Sequence, residues 1–463
     1  MFFESELKVN RIRGLLLYAT KPIQFNCWNL QHGAEQKMTY ERRLFYKFIK
    51  NSMFKFNLKK MIFSSYISNN FQVSFVIKIL AKMKRISERE IFWLDEANAR
   101  KKITLNECEL VSYAPNFGGV QLNKKTRSKI SLYVLSDVVT QIHSSNFIFA
   151  KKNKIYIERV IGVDIGFCNY STGNLIYHNS KKALTRFHHK KVRYKNILFM
   201  GGNGSFNYYH WLIEIIPKFL YINDEILSKN NIDCIIFSSD VRKNKSFGEI
   251  LKAILIDINL NIKIDFIEPN YDIYAENLFY MSTFNNIVFN SKNKLSDVSY
   301  SYFCAKSLKN ISEKLIGYYY SGVKEQTKRN KIFLARNAEQ VRSYNQDEVL
   351  SFFQEQGFIP VLLNNMSMQE QINIFQNADF IVGPSGAAWS NIIFCRSGTK
   401  MISWLPKSLE QFSSFSSLAK IFECDLHFLI SNAIDENLMH SDYVVDINSL
   451  NELYGKLNCT KTI

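Results

Sequence analysis

Long apolar runs are missing from this chain of 463 residues. No stretch reaches the roughly 18–20 uninterrupted apolar residues of a transmembrane helix, so the sequence predicts no membrane span. The first residues lack a basic segment followed by an apolar one, and we therefore expect no signal peptide. The eight cysteines are scattered from Cys27 to Cys459 without a CxxC pair. We interpret them as buried thiols, not as zinc ligands or a disulfide framework.

Several catalytic signatures are missing as well. There is no DxD pattern to hold a divalent cation on a sugar nucleotide, and neither HExxH nor GxSxG occurs. The glycine-containing segments match neither the Walker loop nor GxGxxG. The sequence therefore predicts a site without a resident metal ion.

Positive charge, in contrast, is abundant. Lys and Arg number 59 against 41 Asp and Glu, which gives a net charge of +18. Such a charge attracts phosphates, nucleic acids or anionic membranes, although Lys-rich composition also fits the codon bias of an AT-rich genome. No nucleic-acid-binding module is recognisable and the charge is diffuse, so we expect no nucleic acid partner.

One basic segment is also rich in aromatic residues. The stretch "ERRLFYKFIKNSMFKFNLKKMIF" (residues 41–63) interleaves Arg and Lys with Phe, Ile and Met. It fits a helix lying on an anionic membrane surface, and the favoured alternative is a packed helix whose lysines extend to water.

Changes in pattern divide the chain into six predicted segments. They are an N-terminal basic and aromatic extension (1–100), a small β-rich region (101–190) joined to a first Rossmann-like domain (191–310), a linker (311–330), a second Rossmann-like domain (331–430) and a C-terminal tail that packs back (431–463).

Both predicted domains rest on alternating strands and helices, which indicate mostly parallel sheets covered by helices. In the second, "KIFLA", "FIPVLL", "DFIVGP" and "KMISWL" are predicted strands. The helices between them carry N-cap signals, Asn345 with Glu348 and Ser367 with Glu370, and Gly357 is a predicted stop. The fold class is therefore α/β with two Rossmann-like domains.

The stretch "GGNGSFNYYHWLIEIIPKFL" (201–220) follows the predicted strand "NILFMGG" and enters a predicted helix over Tyr209–Tyr221. His210 and Glu214 stand at i and i+4, so they share a face of that helix. A histidine beside a carboxylate can act as a general base, because the carboxylate stabilises the imidazolium. The alternative is an amphipathic helix whose polar face meets water.

A second group of residues suits an anionic ligand. The strand "DFIVGP" ends in the small residues Ser385, Gly386, Ala387 and Ala388, where a helix begins and its amides can approach an anion. Arg336 ends the strand "KIFLA", and Arg342 and Asn345 follow it. Arginines there suit a diphosphate, although tight turn packing and surface arginines are the competing explanations.

Three segments together resemble glycosyltransferase family 61. They are "NYYHWLIEIIPK", "LARNAEQVRSYNQDEVLSFFQEQGFIPV" and "MSMQEQINIFQNADFIVGPSGAAWSNIIFC", and the ordered likeness runs from about residue 120 to residue 425. The sequence departs from the family pattern at Ser385 (usually His), Gln346 (usually Glu) and Ala388-Trp389 (usually Gly and an aliphatic residue).

The resemblance implies a GT-B architecture, two Rossmann-like domains facing across a cleft, and an inverting, metal-independent transfer. We expect His210 to be the base, oriented by Glu214, with Glu214 itself as the alternative base, and we expect Asn207, Tyr209 and Trp211 to bind the acceptor. The residues expected to bind the donor are Arg336, Arg342, Asn345, Glu370, Gln371, Ser385, Gly386, Ala387, Ala388 and Asn391.

The expected donor is a nucleotide-sugar, taken to be a UDP-sugar, with no other cofactor. The expected acceptor is a glycan or a lipid-linked sugar in bacterial capsule or O-antigen synthesis. The expected location is the cytoplasm, at the anionic cytoplasmic face of the inner membrane as a peripheral protein. The alternative, favoured by Ser385, is a non-catalytic family member that binds glycan or membrane as an assembly factor.

Overall fold

A computed structural model provides the structure of this chain. It describes residues 86–94, 101–144, 147–149, 153–158, 167–169, 175–179, 181–188, 190–202, 204–287, 301–320, 330–336, 343–433 and 442–459. The chain divides into two units, Met1–Leu80 and Ala81–Ile463, and every described residue belongs to the second. The basic segment 41–63 and most of the predicted extension lie outside the described residues.

A 12-stranded sheet occupies the first part of the described chain. Its strands are β1 (Ile86–Trp93), β2 (Lys101–Tyr113), β3 (Asn123–Thr140), β4 (Phe147–Phe149), β5 (Lys154–Ile157), β6 (Phe167–Asn169), β7 (Leu175–Asn179), β8 (Lys182–Arg186), β9 (Lys190–Phe199), β10 (Cys234–Ser238), β11 (Lys263–Ile267) and β12 (Tyr271–Met281). They pair in the order β11-β10-β9-β12-β3-β4-β5-β1-β8-β7-β6, with β2 on β3. The end formed by β11, β10, β9 and β12 is parallel.

Helices cover this parallel end. They are α1 (Asp224–Lys229), α2 (Asp240–Lys243) and α3 (Lys245–Ile258). All five residues of β10 are buried, as expected for a parallel strand covered on both faces. The α3 helix buries Phe247, Ile250, Leu251 and Ile254, whose i, i+3, i+4, i+7 spacing forms one apolar stripe.

The predicted helix Tyr209–Tyr221 has a different geometry from the expected one. Residues His210–Ile215 form a π-helix, and Ile216–Tyr221 form a 3₁₀-helix with Pro217 in its first turn. Proline cannot donate the i to i−4 hydrogen bond of an α-helix, which accounts for the change of geometry there. Short π-helical turns are rare and often lie at functional sites.

The predicted linker 311–330 is also corrected in its first half. After the short pair β13 (Asn286–Ile287) and β14 (Ser301–Tyr302), helix α4 spans Ala305–Tyr320. Leu308, Ile311 and Leu315 are fully buried on one side of α4, so residues 311–320 form part of the core. The domain boundaries predicted from the sequence otherwise stay predictions.

A six-stranded sheet forms the second half. Its strands are β15 (Asn330–Leu334), β16 (Ile359–Val361), β17 (Ala378–Pro384), β18 (Lys400–Pro406), β19 (Asp425–Ala433) and β20 (Tyr443–Val444), and its helices are α5 (Gln346–Glu355), α6 (Met368–Gln376), α7 (Ser413–Ile421) and α8 (Ile447–Cys459). The order is β16-β15-β17-β18-β19-β20, parallel except for the last pair. The chain is thus a mixed α/β protein, and its second sheet has the doubly wound order 2-1-3-4-5.

The capping predictions in this half have different outcomes. Ser367 and Glu370 form the predicted capping box at the start of α6, and Gly357 follows α5 with a φ of 81°. Asn345 does not cap α5 with its side chain. Its amide instead exchanges two hydrogen bonds with the backbone of Val445 and donates to Glu348.

The long β2–β3 hairpin links the two halves. The N–H of Tyr113 donates to Ser417 Oγ at 2.9 Å, and Ser416 Oγ donates to the Tyr113 carbonyl at 2.7 Å. Nearby, the N–H of Phe428 on β19 donates to the carbonyl of Asn116 at 2.9 Å. The hairpin therefore belongs to the first sheet and is fixed to the elements beside the second.

Lys218, on the 3₁₀-helix Ile216–Tyr221, belongs to a buried polar cluster. It is 4% exposed, and its Nζ lies 5.6 Å from the ring centroid of Tyr280. The Tyr280 hydroxyl and both donors of Thr283 bind the carboxylate of Glu158 at 2.6–2.9 Å. Burial lowers the pKa of Lys218 and raises the pKa of Glu158, and the two opposite charges oppose these shifts.

We expect Lys218→Met to destabilise the chain by about 3 kcal/mol, because it leaves the buried Glu158 carboxylate without its counter-charge. The double variant Lys218→Met with Glu158→Gln should be more stable than the sum of the single effects predicts. Urea unfolding measures both. Lys229→Met is the matched control, since its ion pair with Glu225 is exposed to solvent and its loss should change the stability little. Equal effects at Lys218 and Lys229 would contradict a buried charge pair.

Candidate active site

A cavity of about 480 Å³ lies at the carboxyl end of the second sheet. Its walls there come from the residues after β15, β16 and β17, namely Ala335 and Arg336, Leu363 and Asn364, and Gly386 to Ala388. The neighbouring strands β15 and β17 are where the strand order reverses, and ligands of open α/β sheets bind at such switch points. The volume is in the range of small-molecule sites.

Arg336 lies across this switch point. Its Nη2 donates to the carbonyl of Ser385, which links the end of β15 to the end of β17. An ideal Cβ on Gly386 would lie 3.0 Å from that nitrogen, so a side chain at this position would shift the guanidinium slightly. The guanidinium has five N–H donors in a planar fork, which matches the geometry of phosphate oxygens.

Gln346, at the start of α5, holds the backbone of Arg336 from both sides. Its Oε1 accepts from the Arg336 N–H at 2.8 Å, and its Nε2 donates to the Arg336 carbonyl at 3.0 Å. The Tyr344 hydroxyl donates to the same Oε1 at 3.2 Å. Only an amide can accept and donate in this way, so Gln346 is suited to position Arg336.

The turn after β17 differs from the prediction in two respects. Residues Ala387–Phe394 form a 3₁₀-helix and not an α-helix, and the N–H of Ser385 donates to the Trp404 carbonyl at 3.0 Å. The Ser385 amide is therefore engaged, and Ser385 does not line the cavity. Gly386, Ala387 and Ala388 do line it, and the first amides of a helix have no partner within that helix.

The opposite wall belongs to the first half of the chain. Tyr208 and Phe206 line it, together with Asn244, Ser246 and Phe247. The Tyr208 hydroxyl donates to Asn391 Oδ1 at 2.7 Å, and Asn391 Nδ2 donates to Gln371 Oε1 at 3.2 Å. Asn391 and Gln371, both predicted to bind the donor, thus border the cavity with their amides engaged in this chain of bonds.

The predicted pair of His210 and Glu214 is formed. His210 Nδ1 lies 2.8 Å from Glu214 Oε2, and both side chains are nearly buried. Gly204, with a φ of 95°, packs against the imidazole, and a Cβ there would lie 2.5 Å from His210 Cδ2. Neither His210 nor Glu214 lines the cavity directly, and Tyr208 connects their helix to it.

The three predicted acceptor residues have local roles instead. Trp211 is fully buried, stacked on Phe247 with centroids 5.5 Å apart, so it has no face to offer a sugar. Tyr209 is 4% exposed and packs edge-on against Phe415. Asn207 Oδ1 accepts from the Tyr209 N–H at 2.9 Å and so stabilises the start of the helix. None of the three lines the cavity. The full burial of Trp211 contradicts its expected contact with the acceptor, and the assignments of Tyr209 and Asn207 stay predictions.

Two further predicted donor residues do not line the cavity. Glu370 closes the capping box of α6, and Asn345 binds Val445. Arg342 lies outside the described residues.

Sequence reasoning missed several wall residues. Phe206 and Tyr208 belong to the stretch 201–220, but the sequence pattern there pointed to His210 and Trp211 instead. Asn364 follows the predicted strand "FIPVLL", so the rule that ligands sit at strand ends could have identified it. Asn244 and Ser246 carry no signal in the sequence.

The described residues contain no candidate metal site and no candidate membrane-spanning helix. Within them, no three His, Cys, Asp or Glu side chains converge in a way that could hold a metal ion. No helix in the same part of the chain is long and apolar enough to span a membrane.

Comparison with known proteins identifies one family. Residues 208–402 match the family model described as Glycosyltransferase 61. The matched range begins at Tyr208 and includes His210, Arg336 and the Gly386 turn. The chain therefore contains a glycosyltransferase family 61 domain, which supports a glycosyltransferase of EC class 2.4. No curated protein matches the chain.

If Gln346 positions Arg336 for a diphosphate, Gln346→Leu should weaken binding of a nucleoside diphosphate by roughly three- to tenfold, through loss of two hydrogen bonds. Arg336→Ala should cost more, roughly 1.5–3 kcal/mol, because a charged partner is lost. Calorimetric titration with UDP and GDP measures both.

Gln354→Leu, on an exposed position of the same helix, is the matched control and should bind as the unmodified chain does. Unchanged affinity in Arg336→Ala would place the diphosphate elsewhere.

Proposed function

We propose that this chain transfers a sugar from a nucleotide-diphosphate-sugar to a hydroxyl of a glycan or lipid-linked acceptor. The observation that carries the proposal is the cavity at the β15/β17 switch point, bordered by Arg336 and the Gly386 to Ala388 turn, within a glycosyltransferase family 61 domain. A cation and backbone amides facing one cavity suit a leaving group that gains negative charge. We take the nucleotide to be UDP.

We further propose a GT-B arrangement in which each sheet is the core of a Rossmann-like domain. The support is that the cavity takes its walls from both halves, with Phe206, Tyr208 and Phe247 on one side and Arg336 and Ala387 on the other. In such an arrangement the second half holds the nucleotide and the first half meets the acceptor.

His210 is our proposed base, with Glu214 as the residue that orients it. A sugar hydroxyl is a weak nucleophile, and its attack is assisted by a group that accepts its proton. The carboxylate 2.8 Å from Nδ1 fixes the ring and stabilises the imidazolium once it forms. Direct displacement by the hydroxyl would invert the anomeric configuration. Cationic and amide groups would stabilise the diphosphate in place of a metal ion.

The cellular setting is likewise a proposal. We propose that the product is a bacterial surface polysaccharide and that the chain works in the cytoplasm on the inner membrane's anionic face. The net charge of +18 supports attraction to such a surface.

The test of the function is a panel of UDP-, GDP- and dTDP-sugars in EDTA, with a CMP-sugar as the monophosphate control. We expect one diphosphate sugar to raise the melting temperature, since a ligand at 100 times its Kd adds about 2.7 kcal/mol. We also expect release of its nucleotide to persist under chelation.

No stabilisation by any nucleotide-sugar would favour the non-catalytic assembly factor. Activity lost in EDTA and restored by Mn²⁺ would contradict the metal-independent mechanism.

For the base, we expect His210→Ala to lower turnover by about 10²–10⁴ while donor affinity stays unchanged. The comparison is kcat against the dissociation constant of the donor. His427→Ala is the matched control, because His427 also pairs with a carboxylate, Asp425 at 2.9 Å, but lies on β19 and not on the helix that Tyr208 connects to the cavity. A near-normal rate in His210→Ala would remove this residue from the mechanism.

A further inference from the structure

A second histidine–carboxylate pair lies next to the same cavity. His143 Nε2 is 3.1 Å from Asp240 Oδ2 and 3.3 Å from Ser238 Oγ, and the Ser238 hydroxyl donates to the same carboxylate at 2.7 Å. His143 follows β3, Ser238 ends β10 and Asp240 begins α2. Residues distant in sequence are thus brought together at the carboxyl end of a parallel strand, where open α/β sheets bind ligands.

Two residues that line the cavity, Phe206 and Asn244, contact the pair. The ring of Phe206, which is 45% exposed and lines the cavity, lies 5.3 Å from the His143 imidazole between centroids. Asn244, which also lines the cavity, donates through Nδ2 to the Asp240 carbonyl at 2.8 Å. His143 and Asp240 do not themselves line the cavity, but they contact Phe206 and Asn244, which do.

The hydrogen bonds of His143 indicate which of its nitrogens is a hydrogen-bond acceptor. A carboxylate oxygen at Nε2 places the proton on that nitrogen, and Nδ1 of a neutral imidazole is then an acceptor. Within the described residues Nδ1 makes no hydrogen bond. Burial is the largest influence on His143 and lowers its pKa, Lys243 lowers it further, and Asp240 opposes both.

A hydrogen-bond acceptor beside an exposed aromatic ring suits a carbohydrate. A pyranose presents an apolar face of C–H groups to an aromatic ring and hydroxyl donors at its rim, and ligand sites combine apolar walls with a few placed polar groups. The residues that the sequence predicted for the acceptor, Asn207, Tyr209 and Trp211, do not line the cavity.

We propose that Phe206, His143 and Asp240 form the acceptor subsite. The Phe206 ring takes the apolar face of a hydroxyl-bearing acceptor sugar, His143 Nδ1 accepts from one of its hydroxyls, and Asp240 fixes the orientation of the imidazole. The assignment rests on the proposed sugar transfer and names the region where the acceptor binds.

The experiment measures binding of the acceptor separately from catalysis. Saturation-transfer NMR is recorded on the full chain, saturated with the nucleoside diphosphate identified above or with UDP, against methyl and p-nitrophenyl hexopyranosides. Phe206→Ala removes an exposed ring and His143→Phe removes both nitrogens while keeping an aromatic ring. His427→Phe is the matched control.

We expect Phe206→Ala and His143→Phe to weaken glycoside binding by at least about threefold, the effect of one lost hydrogen bond or ring contact, with nucleotide affinity unchanged. In turnover assays the same variants should raise the KM for the glycoside by a larger factor than they lower kcat.

Unchanged glycoside binding in both variants would overturn the proposal. An equal loss of nucleotide affinity would also overturn it, because it would indicate a structural role. If the unmodified chain binds glycosides but transfers no sugar, the proposed function fails while the subsite is still tested by binding.

Discussion

The hydrogen bond from Tyr208 to Asn391 is the contact on which the geometry of the site depends. It joins the loop after β9 to the helix after β17 at 2.7 Å, and Asn391 is fully buried. Asn391 in turn donates to Gln371, whose Nε2 donates to the Met366 carbonyl at 3.1 Å. Leaving a buried amide without these partners would lower the stability of the fold, so the hydrogen bonds hold the two walls of the cavity in a fixed relative position.

Two of the glycines at the start of the stretch 201–220 are explained by close contacts that leave no room for a Cβ atom. A Cβ on Gly201 would lie 2.2 Å from the Ile142 carbonyl, and one on Gly204 would meet the His210 ring. Gly201 therefore packs against the backbone beside His143, and Gly204 packs against the imidazole of His210. Phe206, two residues after Gly204, lies in the cavity wall.

The sequence predicted those parts of the site that depend on strand ends and local spacing. Arg336 and the Gly386 to Ala388 turn could be identified because parallel strands end at one edge, and Ser367 with Glu370 because a capping box is local. The pairing of His210 with Glu214 followed from helical spacing, although the turn is π-helical. Trp211 was misjudged because its burial depends on Phe247, which comes from another helix. His143 and Asp240 could not be paired from the sequence, since 97 positions separate them and no motif surrounds either.

The β2–β3 hairpin has a mechanical consequence for the whole chain. It bonds through Tyr113 to two serines of α7 and through Asn116 to β19, on elements that accompany the second sheet. A rigid-body rotation of one sheet away from the other would have to break these hydrogen bonds together, so the hairpin resists a wide opening of the cavity. A bulky ligand would then enter and leave through smaller movements of individual loops. These are faster than domain rotation and keep the hydrogen bonds of the hairpin intact.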